Sequence, residues 1–157
     1  MATDQPTPPL IVRDALNRAL AGDPAGGGEL LLPLIEESPR ECYALCVMLA
    51  STCTYGTRPL GPAAMWRLQV DDVRTGLPGA PEDLADGFGF AAQFVTAYAN
   101  RDSATTHALF GALARDMSTE AGACRVYDGV IALYAMAIAA VRALLAEERA
   151  IRNQEGN

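Results

Sequence analysis

The chain has 157 residues, 29 of them alanine, and its 12 basic residues are all arginine. The formal charge of −7 argues against nucleic acid as a partner, because phosphate binding draws on clustered basic side chains. The missing lysine excludes P-loop, kinase-type and Schiff-base chemistry, and a 50% apolar content excludes wholesale disorder.

Residues 1–9 are polar and Pro-rich and read as a flexible arm. They lack the basic-then-apolar pattern of an export signal, so a cytoplasmic protein with reduced thiols is expected. A first helix is predicted over about 10–21, from the stripe Ile11, Ala15, Leu16, Ala19 and Leu20, with Gly22-Asp23-Pro24 stopping it. Ala25-Gly26-Gly27-Gly28 reads as a connector. A short helix follows over 29–37, with Pro33 tolerated in its first turn.

Ser38-Pro39-Arg40-Glu41 is a capping box and opens a helix that runs to about Thr54. A Gly/Pro-rich connector over 55–80 comes next. Within it, Trp66, Leu68 and Val70 alternate with polar residues, which suits a short strand or hairpin near 65–75. Pro81-Glu82-Asp83 starts a helix ending near Asn100. Asp102 or Ser103 caps another, to about Met117. Ser118-Thr119-Glu120 opens the last, which reaches Arg152. Val130 to Val141 is apolar on every side, so this helix is expected at the centre of the bundle. Twelve such residues fall short of the about 20 needed to cross a bilayer, so no membrane is expected.

A weak internal parallel joins Ala19-x-Ala21-Gly22-Asp23 to Ala97-x-Ala99-Asn100-Arg101-Asp102, followed in each case by a short capped helix and a longer one. It suggests a pseudo-repeat of 10–54 and 81–153, joined by the linker 55–80.

Few residues carry chemistry. Cys42, Cys46 and Cys53 fall on one face of a helix, within roughly 40° of one another. Cys42 and Cys53 would lie about 16 Å apart along the axis, too far to share one metal with sulfur bonds of about 2.3 Å. Cys42 and Cys46 with His107 and Cys124 are the one tetrahedral set that spacing leaves open. The plainer reading makes the cysteines small apolar core residues, with no metal and no cofactor. His107, the only histidine, lies beside an apolar face rather than in a catalytic motif. Acidic pairs such as Glu36-Glu37 and Asp71-Asp72 suit a solvated surface. Gly87-Phe88-Gly89-Phe90-Ala91-Ala92 fits a loose dinucleotide fingerprint but lacks the preceding strand that chemistry needs, so the glycines read as helix-packing positions. Trp66 is a candidate anchor for a partner, against the alternative of a core tryptophan.

Trp66-Arg67-Leu68-Gln69-Val70, Thr75-Gly76-Leu77-Pro78, Pro81-Glu82-Asp83-Leu84 and Phe94-x-x-Ala97-Tyr98-Ala99-Asn100-Arg101-Asp102 resemble small Ala/Arg-rich helical proteins of unknown function common in high-GC actinomycetes. The resemblance covers about residues 64–115. It implies a bacterial cytoplasmic setting and no mechanism.

The expectation is therefore a mainly α protein, an irregular bundle of about six helices in a single domain over 10–153. No catalytic set assembles, so the leading reading is a non-enzymatic interaction module, a regulatory or adaptor protein that binds a protein partner or a second copy. The alternatives are a thiol-based metal or redox sensor using Cys42, Cys46, His107 and Cys124, and a small enzyme with carboxylates and His107 in a helical pocket.

Overall fold

The computed structural model describes residues 7–57, 65–68 and 86–155. These residues form seven α-helices and no strand, an irregular helical bundle. They divide into two compact units, Met1–Gly56 with Tyr134–Asn157, and Thr57–Leu133.

The first unit holds α1 (Pro8–Leu20), α2 (Pro24–Glu29), α3 (Leu32–Glu37), α4 (Pro39–Thr54) and the second part of α7 (Glu120–Glu155). Helix α1 begins at Pro8, inside the segment expected to be a loose arm; proline is preset for a first helical turn, and Thr7 stands before it. Residues 1–6 of that arm lie outside the described residues. The run Ala25–Gly28 is not a connector but most of α2. Two neighbours explain the difference. Pro24 supplies a helical φ, and the Asp23 carboxylate accepts the Gly26 N–H at 2.9 Å, capping the turn. Glycine is then needed for packing: a Cβ at Gly27 would run into the Ala15 carbonyl and the Tyr134 hydroxyl. This close approach seats α2 on α1.

Ser38 ends α3 and caps α4, its hydroxyl accepting the Glu41 N–H at 3.2 Å, as the capping box predicts. The core of this unit includes Val12, Ala15, Ala19, Leu31, Leu34, Ile35, Leu45 and Leu49. Tyr134 and Ala137 of α7 are buried in the same unit. Arg142, one turn further on, donates to the Ala19 carbonyl at 3.2 Å, at the C-terminal end of α1, where the helix dipole favours a cation.

The second unit holds α5 (Asp86–Ala99), α6 (Ser103–Leu113) and α7 up to Leu133. Residues 81–85, expected to start α5, lie outside the described residues. Gly87 sits against the backbone of Asp128 in α7, the packing role expected of that glycine. Helix α6 stops at Leu113 rather than Met117, and residues 114–118 turn toward α7. Thr119 caps α7 by accepting the Gly122 N–H at 3.0 Å.

The α1–α2 and α5–α6 junctions have the same build. In the first, Gly22 at φ +100° donates to the Ala19 carbonyl and Asp23 N–H donates to that of Arg18. In the second, Arg101 at φ +59° donates to Tyr98 and Asp102 N–H donates to Ala97. Both are Schellman turns. Each Asp then caps the next helix, Asp102 accepting the Thr105 N–H at 2.9 Å. This pairs Gly22 with Arg101, and so Ala19 with Tyr98, one residue away from the parallel visible in the sequence. Buried positions follow the same register: Val12 with Ala91, Ala15 with Phe94, Leu31 with Phe110.

Candidate functional site

The cysteines divide by burial. Cys42 and Cys46 are fully buried and Cys53 is 9% exposed, all on the inner face of α4 among Leu45, Leu49 and Ala50. Cys124 is exposed on α7. Burial pushes the Cys53 thiol up to about 12. The Cys46 thiol is pushed well up by its hydrogen bond to Cys42, by burial and by the Cys42 charge it would have to face. The same bond pulls Cys42 down, against its burial. Such a pair resists losing a second proton, so at least two of the three core sulfurs stay protonated at neutral pH.

Cys42 and Cys46 belong to the first unit, His107 and Cys124 to the second. Among the described residues, no three His, Cys, Asp or Glu side chains gather in a way that could hold a metal ion. His107 is exposed, with Nδ1 2.7 Å from the Ser103 carbonyl one turn back in α6. The two halves of the candidate set thus have different surroundings: thiols in an apolar interior, an imidazole in solvent.

Trp66 is half-buried, in a stretch over 65–68 that forms no helix or strand. The remainder of the segment expected to be extended, 69–75, lies outside the described residues. The Trp66 main chain is held by one side chain. Its N–H donates to Asn100 Oδ1 at 2.7 Å, and its carbonyl accepts from Asn100 Nδ2 at 3.1 Å. Residues in a sheet make this double bond with a neighbouring strand; here a side-chain amide takes the strand's place. Among the described residues, the strand or hairpin expected near 65–75 is not formed over 65–68, where the main chain has a side-chain amide rather than a strand as its partner. Nothing in the sequence marks Asn100 for this role, since an Asn at a helix end ordinarily reads as a cap.

Helix α7 contributes to both units, and one side of it over 135–143 is incompletely covered. Ala139 and Ala143 are exposed, and Ala135, Met136 and Ala140 are half-exposed. Between Asp128 and Glu147 the only charged residue is Arg142. A helix apolar all round is normally covered on every side. This one buries only 39% of its most apolar 18 residues, and it is long and apolar enough to cross a membrane by length and composition alone. The sequence signal was its uniform apolarity, which cannot tell a face covered within the chain from one left open.

Compared with family models, curated proteins and solved structures, the chain matches none.

Proposed function

We propose that the protein is a non-enzymatic interaction module, a regulatory or adaptor protein, and that the open side of α7 is the surface through which it binds. The observation that carries this reading is the stripe of exposed Ala139 and Ala143 with half-exposed Ala135, Met136 and Ala140, where a helix facing water would carry charge. Alanines four residues apart stack on one face and let a second helix approach closely. The occupant is a helix from a second copy of this chain or from a protein partner.

The opposite side of the same helix is engaged within its own unit, through buried Tyr134 and Ala137, the Tyr134 hydroxyl donating to the Ala15 carbonyl. A charge placed at Ala139 would face the partner and leave those contacts intact. Light scattering on purified protein, combined with affinity capture, tests the reading with Ala139→Arg. The wild type should self-associate or retain a partner, and the variant should lose that association while keeping its helical circular dichroism.

A further inference from the structure

We propose that the occupant of the open side of α7 is the same side of α7 in a second copy of the chain, running parallel to it and in register. The inference rests on the reading of that side as a binding surface and names what binds there.

The open side carries a seven-residue repeat. Met136, Ala143 and Ala150 recur at that spacing, and so do Ala139, Ala146 and Asn153. Met136 is half-exposed and the other five are exposed. The two sets interleave at steps of three and four, which is the seam of a two-stranded coil. Alanine fills four of the six positions, so the two backbones can come close.

The charges beside the seam select the occupant and its direction. Arg142 and Arg149 line one flank, and Glu147 and Gln154 line the other. Arg142 precedes Glu147 by five residues, the offset at which opposite flanks of two parallel strands meet. Two parallel copies therefore set Arg142 of each beside Glu147 of the other. In an antiparallel pair like flanks meet, arginine against arginine. These charges have no opposite partner along their own helix. No cation stands three or four residues from Glu147, and no acid at that spacing from Arg142 or Arg149. Among the described residues the ion pairs are Arg13 with Asp14 and Arg125 with Asp116, which leaves Glu147 out. Arg142 donates one N–H to the Ala19 carbonyl, and a guanidinium has others to offer. Asn153 closes the seam. Its amide can donate to and accept from its own counterpart when the copies run parallel and in register.

Exposed ion pairs add little affinity each, and alanine buries little surface, so the dimer is weak and its direction is what the charges decide.

The test uses the full chain. Sedimentation equilibrium should show a reversible dimer, and Glu147→Arg should raise its dissociation constant about tenfold by turning two attractions into repulsions. Direction is read by crosslinking in a glutathione redox buffer, with Cys124→Ser removing the exposed native thiol. Ala139→Cys and Ala146→Cys, in separate chains, should each form a disulfide with its own counterpart, and Glu148→Cys, off the seam, should not. The two seam positions lie about 10.5 Å apart along the axis, and an antiparallel pair brings only one level of the helix against itself. A dimer in which one of the two seam crosslinks forms is antiparallel, and one in which neither forms uses another face; both results would overturn the proposal. A chain that sediments as a monomer up to about 1 mM, while Ala139→Arg still abolishes capture of a different protein, would overturn it and leave the proposed function standing. A monomer with no such capture would end both.

Discussion

The hydroxyl of Tyr134 donates a 2.7 Å hydrogen bond to the main-chain carbonyl of Ala15, 119 residues earlier, and the bond is buried. It ties α7 to α1 at the point where Gly27 brings α2 against both. Gly27→Ala should therefore cost about 1–3 kcal/mol, the range for overpacking a filled site, because the new methyl meets a carbonyl and a hydroxyl already bonded to each other. Tyr134→Phe should cost about 1–2 kcal/mol for the lost bond and the buried carbonyl left behind. Urea denaturation of the two single variants and the double should show less than the sum of the two costs, since both changes disturb one contact.

Arg101 stands at φ +59°, in a conformation that strains any residue with a Cβ. Arg101→Gly should raise stability by about 0.5–1 kcal/mol, the relief being partly offset by the greater freedom of glycine in the unfolded chain. Gly22→Ala at the matching junction should lower it by about 1–2 kcal/mol. No atom lies within 4 Å of the new methyl there, so that cost would be backbone strain alone. Thermal midpoints moving in opposite directions for the two variants would establish that the junctions share one geometry.

The core thiols make the fold sensitive to alkali. Cys53 has an ordinary value of 9.0 and is raised to about 12 in the folded chain. Below pH 9 the thiol is protonated in both states and the full stability is present. As pH rises from 9 toward 12 the unfolded chain loses this proton first, and stability falls by about 1.4 kcal/mol per pH unit for this group. Cys46, also raised, adds to the loss, and Cys42, which is lowered, offsets part of it. Urea midpoints measured between pH 8 and 10.5 should drop, and Cys53→Ala should flatten the slope while lowering stability at pH 8.

Thiol accessibility follows the same division. A disulfide reagent at neutral pH should label one cysteine of the folded chain quickly, at Cys124, and reach the other three only as it unfolds. Peptide mapping of the labelled product checks the assignment. Rapid labelling of Cys42 or Cys46 in the native state would contradict the buried placement of α4.

The helical class was legible because it rests on local patterns. The apolar stripe of α4 and the capping box at Ser38 place that helix where it is found, from Pro39 to Thr54. The last helix follows the same logic and starts at Glu120. The Gly-rich turn of α2 was not legible, because its glycines are selected by contacts with Ala15 and Tyr134, residues remote in sequence. Arg101 carries no signature of a left-handed turn, since the residue usual there is glycine. The site was less legible still. Burial of Cys42 and Cys46 follows from their stripe, whereas the pairing of Asn100 with Trp66 spans 34 residues and rests on main-chain atoms that every residue shares. For α7, uniform apolarity gave the helix but not which side of it is left uncovered.

The account turns on whether the open side of α7 meets another protein. The most direct measurement is light scattering of the purified wild type and Ala139→Arg, paired with affinity capture of each. We expect the wild type to hold a second copy or a partner and the arginine variant to lose it with its helical content unchanged. A wild type that remains a lone monomer, or a partner retained equally by both proteins, would contradict the assignment of this face.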